Sequence, residues 1–440
     1  MKCKIIISIV WIICLQCATA QEKKTLSLKE AIDLSLKNSK QLKASQARIE
    51  QAAAQVTESE QNRFPNFNVS GSYIRLSSAN IDLKTNSNNA SGGNSTSPKI
   101  SQALYGIANL SYPIYAGGRL KYAIESAKYL EEAVKLDAEN DKESVILNTM
   151  NAYTNLYKAS ATINVIQENL ASSRERDSTF SHLEQNGLLA RNDLLKIELQ
   201  TSAIELALLE AENNWRLANI NMDLMLGLPE TTEIIIDPII LKQVNPIKNI
   251  NEYEQLAIQN RKDIQALSFR KKVAGTQIKS AKTLGYPTVA LTGGYVAAYI
   301  PNFISITNAI NAGIGIQYNL AALWKTNTRL QQVKAKEQEL KANEEQLYDV
   351  VRLQINHDYQ NYFLSGKKIE VYQKALVQAS ENYRITKNKY DNSLASVTDL
   401  LDADVALQQT KLNVETAKAD AVLAYNKLLQ TAGLLNQPAK

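Results

Sequence analysis

Cysteine is nearly missing from this 440-residue chain: there are three, Cys3, Cys14 and Cys17, all close to the N-terminus. Beyond them neither a disulfide staple nor a thiolate metal site can be built. Histidine is as scarce, with His182 and His357 far apart in sequence, and no phosphate-cradling glycine loop or nucleophile elbow is present. The common enzyme constellations are therefore absent, and the chain reads as a non-enzyme without metal or cofactor. The formal charge of +5 is small for this length and no basic face is concentrated in it, so nucleic acid is not an expected partner. Long apolar runs are lacking too. Ile5 to Leu15 falls short of the roughly 20 residues that span a bilayer, and Ile234 to Leu241 is broken by Asp237 and Pro238.

The N-terminus carries an export signal. Lys2 and Lys4 precede the apolar run, and Ala18-Thr19-Ala20 offers a small-residue cleavage site, so residues 1–20 are read as a cleaved signal peptide. Cys14 follows Ile13 and Cys17 follows Gln16, and neither has the small preceding residue that lipid attachment needs.

The rest is built twice. A turn-rich stretch at Asn186 to Lys196 recurs at Tyr390 to Asp402, with Leu188, Asp193, Leu194 and Leu195 matching Leu394, Asp399, Leu400 and Leu401 at an offset of 206. Thr398 and Asn192 are read as N-caps of the helices that follow, each with an aspartate favouring the positive end of the dipole. Those helices carry seven-residue seams. One runs through Leu400, Leu407, Val414 and Leu428, with Ala403 and Ala417 beside it; the other runs through Leu194, Thr201, Leu208 and Met222, with Ile197, Ile204 and Ala211. Gly227 and Gly433 stop them. Such narrow seams of small residues suit helices packed side by side in one layer.

Upstream, the period changes. Leu26 to Asn62 reads as helix and stops before Pro65. Phe67, Val69, Gly71 and Tyr73 then alternate with Asn68, Ser70 and Ser72, as in a strand with one apolar face. Strands are expected at about 66–76 and 105–116, flanking a loop rich in Asn and Ser at Ser77 to Gln102, and again at about 288–298 and 311–320. Asn38, Pro65 and Tyr73 match Asn260, Pro287 and Tyr295 at an offset of 222. The expected order is a first repeat at 21–229, a linker at 230–251, a second repeat at 252–435 and a tail at 436–440. From Leu330 to Lys389 the pattern is helical for about 60 residues, about 90 Å at roughly 1.5 Å per residue, with Ser365-Gly366 as a point of loosening.

The strands admit two readings. One is a half-buried sheet in a soluble protein, which makes the whole a periplasmic coiled-coil scaffold. The other is a membrane barrel, favoured by aromatics near strand ends (Phe67, Tyr73, Tyr112, Tyr115, Tyr299) and by strand lengths that cross a bilayer when tilted. Four strands cannot close a barrel in lipid, so this reading needs several chains.

The repeat, the turn Tyr-Pro-Ile-Tyr-Ala-Gly-Gly-Arg at Tyr112 to Arg119 and the paired Asp-Leu-Leu stretches resemble the TolC family of outer-membrane efflux and secretion channels, over nearly all of the chain beyond its signal. The resemblance implies a mainly α fold with membrane β structure. Three copies would form a twelve-stranded barrel continuing into a long α-helical barrel. It further implies an outer-membrane channel subunit, its helices in the periplasm of a Gram-negative cell, that docks to a periplasmic adaptor and an inner-membrane transporter; a type I protein secretion conduit is the alternative within the class. By position, Asp399 and Asp402 would form acidic rings at a closing constriction, Tyr390 would link neighbouring helices there, and Asp193 would be the acid of the first-copy tip. Three-fold symmetry would bring like carboxylates together and raise some of their pKa values; the plainer role of these acids is helix capping. Pro65, Pro113, Gly117, Gly118 and Pro287 would form the turns between barrel and helices. Ala395 stands where the family's best-known gate has arginine, with Arg191 as a substitute, and Ser393 replaces a glycine that Gly187 keeps.

Overall fold

The computed structural model describes residues 23–79, 100–237, 247–301 and 303–435. The expected signal peptide, the C-terminal tail, most of the loop between the first two strands and part of the linker lie outside these residues. The elements in chain order are β1 (Lys23–Leu26), α1 (Leu28–Asn38), α2 (Lys40–Gln61), β2 (Asn66–Ala79), β3 (Ile100–Tyr115), α3 (Arg119–Gln185), α4 (Arg191–Leu226), β4 (Glu233–Ile236), α5 (Ile250–Asn260), α6 (Lys262–Lys282), β5 (Thr288–Ile300), β6 (Ile304–Gln317), α7 (Ala322–Asp391) and α8 (Val397–Thr431). Two compact units cut across the repeats, one made of the described residues within 1–47, 136–265 and 345–440, the other of those within 48–135 and 266–344.

The second unit holds a four-stranded antiparallel sheet in the order β2-β3-β5-β6. Its register explains the alternation. Phe67 pairs with Leu110, which pairs with Gly293 opposite Ala312; Tyr73 pairs with Leu104 opposite Tyr299; Tyr112 pairs with Leu291 opposite Ile314. Strand neighbours share a face, and although Ile74, Tyr105, Ile107 and Val296 lie on the other one, most of the large apolar residues of the four strands lie together. They are bare: Val69 is 72% exposed, Ile310 79% and Ile316 73%. The opposite face carries Asn68, Asn109, Gly294 and Asn311 in one paired row and Asn66, Ser111, Thr292 and Gly313 in the next. Strands of 13 to 16 residues exceed the roughly 9–11 a tilted strand needs to cross hydrocarbon. β2 and β6 each have one neighbour, so each presents an outer edge. The helical part of this unit is tied by ion pairs from Lys128 to Glu60 at 2.8 Å and from Lys271 to Glu344 at 2.5 Å, and by Lys272 over the Phe269 ring.

The first unit is helical apart from a small parallel sheet of β1 and β4. β1 precedes the expected N-terminal helix, overlapping it at Leu26 alone, and β4 falls inside the expected linker; four-residue strands leave no readable period. Asn219 holds β4 by donating from Nδ2 to the Thr232 carbonyl at 2.6 Å and accepting from Ile234 N at 2.9 Å. The buried Tyr153 hydroxyl donates to the Leu26 carbonyl at 2.9 Å, and burial pushes its pKa up to about 12. Leu26, Leu156, Met222, Leu226 and Ile234 close this core. A second core joins Tyr253, Ala257 and Ile264 to Val351, Ile355 and Leu428.

The structure corrects three expectations. The helix read over Leu26 to Asn62 starts after β1 and breaks at Ser39, where the backbone is extended at φ −55° and ψ 120°. α7 passes through Ser365-Gly366 unbroken, with Ser365 Oγ donating to the Tyr362 carbonyl at 2.6 Å. The N-cap of α8 is Ser396, not Thr398, and that of α4 is Ala190, not Asn192, with no side-chain cap bond. Both turns are shorter than the cap residues alone suggest. The seams hold: Leu400, Leu407, Val414, Leu428, Leu194, Ile197 and Ile204 are buried.

Candidate functional site at the helix tips

Two long helical hairpins end in the same turn. After α3, Gly187 N donates to the Glu184 carbonyl at 2.9 Å and Leu188 N to the Leu183 carbonyl at 2.9 Å; after α7, Ser393 N donates to Tyr390 at 2.8 Å and Leu394 N to Lys389 at 2.7 Å. This is the paired bonding of a Schellman stop, which needs a left-handed residue. Gly187 takes φ 73° freely, whereas Ser393 takes φ 60° with a side chain that disfavours it.

The tips meet in one apolar cluster of Phe180, Leu194, Ile197, Val397 and Leu400. Tyr390 stacks on Phe180 with centroids 5.2 Å apart and planes at 16°, so it joins α3 of the first copy to α7 of the second. Burial, with the Asp193 and Asp391 carboxylates nearby, pushes its pKa up. Asp193 is half-buried and accepts from Lys196 Nζ at 2.9 Å. Asp399 is exposed and forms a capping box, accepting from Ser396 Oγ at 2.7 Å and Ser396 N at 2.9 Å. Those bonds hold its carboxyl below the usual range. Asp402 is exposed one turn further along α8. Thus Tyr390 and Asp193 come together, Asp399 is engaged in capping, and Asp402 faces solvent. Arg191 approaches Glu184 at 3.9 Å, and Ala395 sits in the turn.

Behind this cluster lies a polar layer that the sequence reading missed. Arg176 on α3 donates from Nη2 to Asp404 Oδ2 on α8 at 2.6 Å, with side chains only 9% and 6% exposed. Ser173 and Thr201 share a buried 2.9 Å hydrogen bond beside it. One signal was available: Ser173, Arg176 and Phe180 are spaced three and four apart, on one helix face.

The turns at the sheet are as specific. Pro65 and Pro287 immediately precede β2 and β5, and Pro113 lies at a register shift near the end of β3. Gly117 and Gly118 have φ 62° and 87°, and a Cβ on Gly117 would lie 2.9 Å from the Tyr286 Cβ. Only glycine meets both demands there.

Among the described residues no helix is long and apolar enough to cross a membrane, and no three His, Cys, Asp or Glu side chains could hold a metal ion. A sheet with one bare apolar face, in a chain that also forms long helical hairpins, fits the class of outer-membrane channel subunits. The family profile described as Outer membrane efflux protein matches residues 31–228 and 254–434, so the chain belongs to that family, the TolC family of outer-membrane channels of tripartite efflux or export systems. It is a family of transport proteins. The chain is 24% identical over 424 residues, 92% of this chain and 85% of the relative, to Toxin and drug export protein A of Aggregatibacter actinomycetemcomitans. Its fold is similar to that of VceC from Vibrio cholerae (TM-score 0.75, 18% identity, 92% of this chain and 96% of that one). The CmeC channel of Campylobacter jejuni is similar too (TM-score 0.75, 20% identity, 93% and 86%).

Proposed function

We propose that three copies pair their sheets edge to edge, β6 of one chain to β2 of the next, closing a twelve-stranded barrel in the outer membrane. The observation that carries this reading is the four-stranded sheet with its large apolar residues on one bare face and with two outer edges. A lipid-exposed edge would leave backbone groups unsatisfied at several kcal/mol each, so closure needs more strands than one chain has. The long hairpins then line a periplasmic conduit. Their tips carry Asp399, Asp402, Asp193 and Tyr390 at the constriction, and Pro65, Pro113, Gly117, Gly118 and Pro287 turn the chain between barrel and helices. The trimer receives small molecules from a periplasmic adaptor and an inner-membrane transporter and conducts them passively. Export begins with cleavage after Ala20. A protein-secretion role within the same architecture is supported by the relative whose name includes toxin export.

The test is the native mass of the protein extracted from outer membranes in mild detergent. Three chains per complex, released only by detergent, is the expected outcome. A monomer or dimer soluble without detergent would overturn the channel reading and leave a periplasmic coiled-coil protein.

A further inference from the structure

The repeats build one joint twice, and the second carries more charge: Lys40 of the first matches Lys262 of the second, whereas Arg261, His357, Asp358 and Lys427 have no charged counterpart. In the first copy the helix breaks at Ser39, between α1 and α2; 222 residues on it breaks at Arg261, between α5 and α6. Each break packs against the glycine that ends the last helix of its copy. A Cβ on Gly227 would lie 3.0 Å from the Asn38 Cβ, and one on Gly433 would lie 2.9 Å from Arg261 N. Each joint borders a cavity. The first, about 200 Å³, is lined by Ser39, Asn148, Leu224 and Met225 among others; the second, about 470 Å³, is lined by Arg261, Gln354, Gln430 and Thr431 at the matching positions. His357, Asp358 and Lys427 also line the second, where the first copy has Asn151, Ala152 and Asn221. The first copy forms its joint without these charges, so backbone architecture does not require them.

Most of the charged groups of the second joint satisfy one another; the added Lys427 and the shared Lys262 do not. Buried Asp358 accepts from Thr431 Oγ1 at 2.6 Å and lies 2.9 Å from His357 Nδ1. Arg261 is forked onto Asp263 at 3.0 and 2.6 Å and reaches the Thr431 carbonyl at 3.2 Å and Gln354 Oε1 at 3.1 Å. Glu143, the other lining acid, is buried and engaged. Lys262 and Lys427 line the cavity, and neither makes an ion pair among the described residues. Lys262 is also the first residue of α6, whose N-terminal dipole adds positive potential.

We propose that this second-copy cavity binds a small multivalent oxyanion, a phosphate or polycarboxylate, with Lys262 and Lys427 as its direct ionic contacts. Arg261 has most of its donors committed and its charge matched by Asp263, so it is not a contact. The side-chain amides of Gln354 and Gln430 provide donors between the cations, and the two acids are withdrawn into their own hydrogen bonds. A volume of about 470 Å³ admits a molecule of several carboxylate or phosphate groups. Ammonium groups with no acid partner gain most from such a ligand, because charge-assisted bonds are the strong ones.

The inference does not rest on the channel reading, and its readout is binding. Inorganic phosphate and citrate are titrated against the thermal unfolding of the full chain in detergent, with ionic strength held constant by sodium chloride. A saturable rise in Tm is expected, with affinity weakened by about tenfold or more for each of Lys262→Gln and Lys427→Gln, from the loss of one charge-assisted contact. Lys40→Gln, the counterpart of Lys262 at the first joint, serves as the control and leaves the response intact. Three results overturn the proposal. One is no titration. Another is an equal response in wild type and the double lysine variant, which assigns the effect to general salting of the surface. The third is a fall in native mass on replacing the lysines, which assigns them to contacts between copies.

Discussion

Replacing Asp404 by alanine removes the one carboxylate that faces Arg176 across the α3–α8 contact. The guanidinium is 9% exposed and the carboxylate 6%, and Arg176 Nε and Nη1 have no hydrogen-bond partner among the described residues. The variant therefore leaves an uncompensated buried cation, and breaking such a pair costs about 3–5 kcal/mol. α3 and α8 both end at the tip turns and can open there to rehydrate it, so the loss is expected as local unfolding. Amide hydrogen exchange reads this directly. At about 1.4 kcal/mol per decade, the amides of α8 around Asp404 should exchange roughly a hundredfold faster or more. The double variant Arg176→Met, Asp404→Leu replaces charge by apolar volume and should stay within about tenfold of wild type, since isosteric replacement of a buried pair is often neutral or stabilising. Unchanged exchange in Asp404→Ala would refute the reasoning by making the pair a hydrated one. Equal acceleration in the double variant would assign the effect to packing instead of charge.

Four further outcomes follow from the geometry. Ser393→Gly relieves a left-handed residue at φ 60° and should slow tip exchange by a gain of about 1 kcal/mol, whereas Gly187→Ser should speed it. Asp223 is fully buried, and burial followed by the Glu230 charge raises its pKa from 3.8 to about 6. The folded state therefore holds a proton that the unfolded state has lost, and stability falls as pH rises from about 4 to 6 by up to about 3 kcal/mol. Asp223→Asn should flatten that window when Tm is followed against pH, and an unchanged slope would remove Asp223 as its source. Ile310→Lys places a charge on the bare apolar face at the middle of its strand, costs about 2–4 kcal/mol at mid-membrane and should lower the yield of detergent-extracted complex, while Asn311→Lys on the other face should be tolerated better. Asp402→Ala, at an exposed position that does not cap its helix, should lower cation preference and block by multivalent cations in single-channel recordings, and unchanged selectivity would take it out of the constriction.

What the sequence determined by itself is whatever repeats within a few residues. A period of two put Phe67, Val69 and Tyr73 on one face, and the register placed Leu110, Leu291 and Ile314 with them. A seven-residue period marked Leu400, Leu407 and Val414 as buried, and the glycines at 187, 227 and 433 announced left-handed backbone, because each follows from the local geometry of one element. The family was legible for the same reason, since its carriers are short turns and a repeat. The tertiary structure decided which faces meet. The pairing of Arg176 with Asp404 spans 228 residues, and Ser396 took the cap from Thr398 because the turn closes two residues sooner than the helical pattern alone indicates. β1 and β4, four residues each, exist only through each other. The charged joint at Arg261 shows the same division: its position was repeated in the sequence, whereas the satisfaction of Asp358 and the surplus of Lys262 and Lys427 depend on side chains from α3, α6, α7 and α8 brought to one cavity.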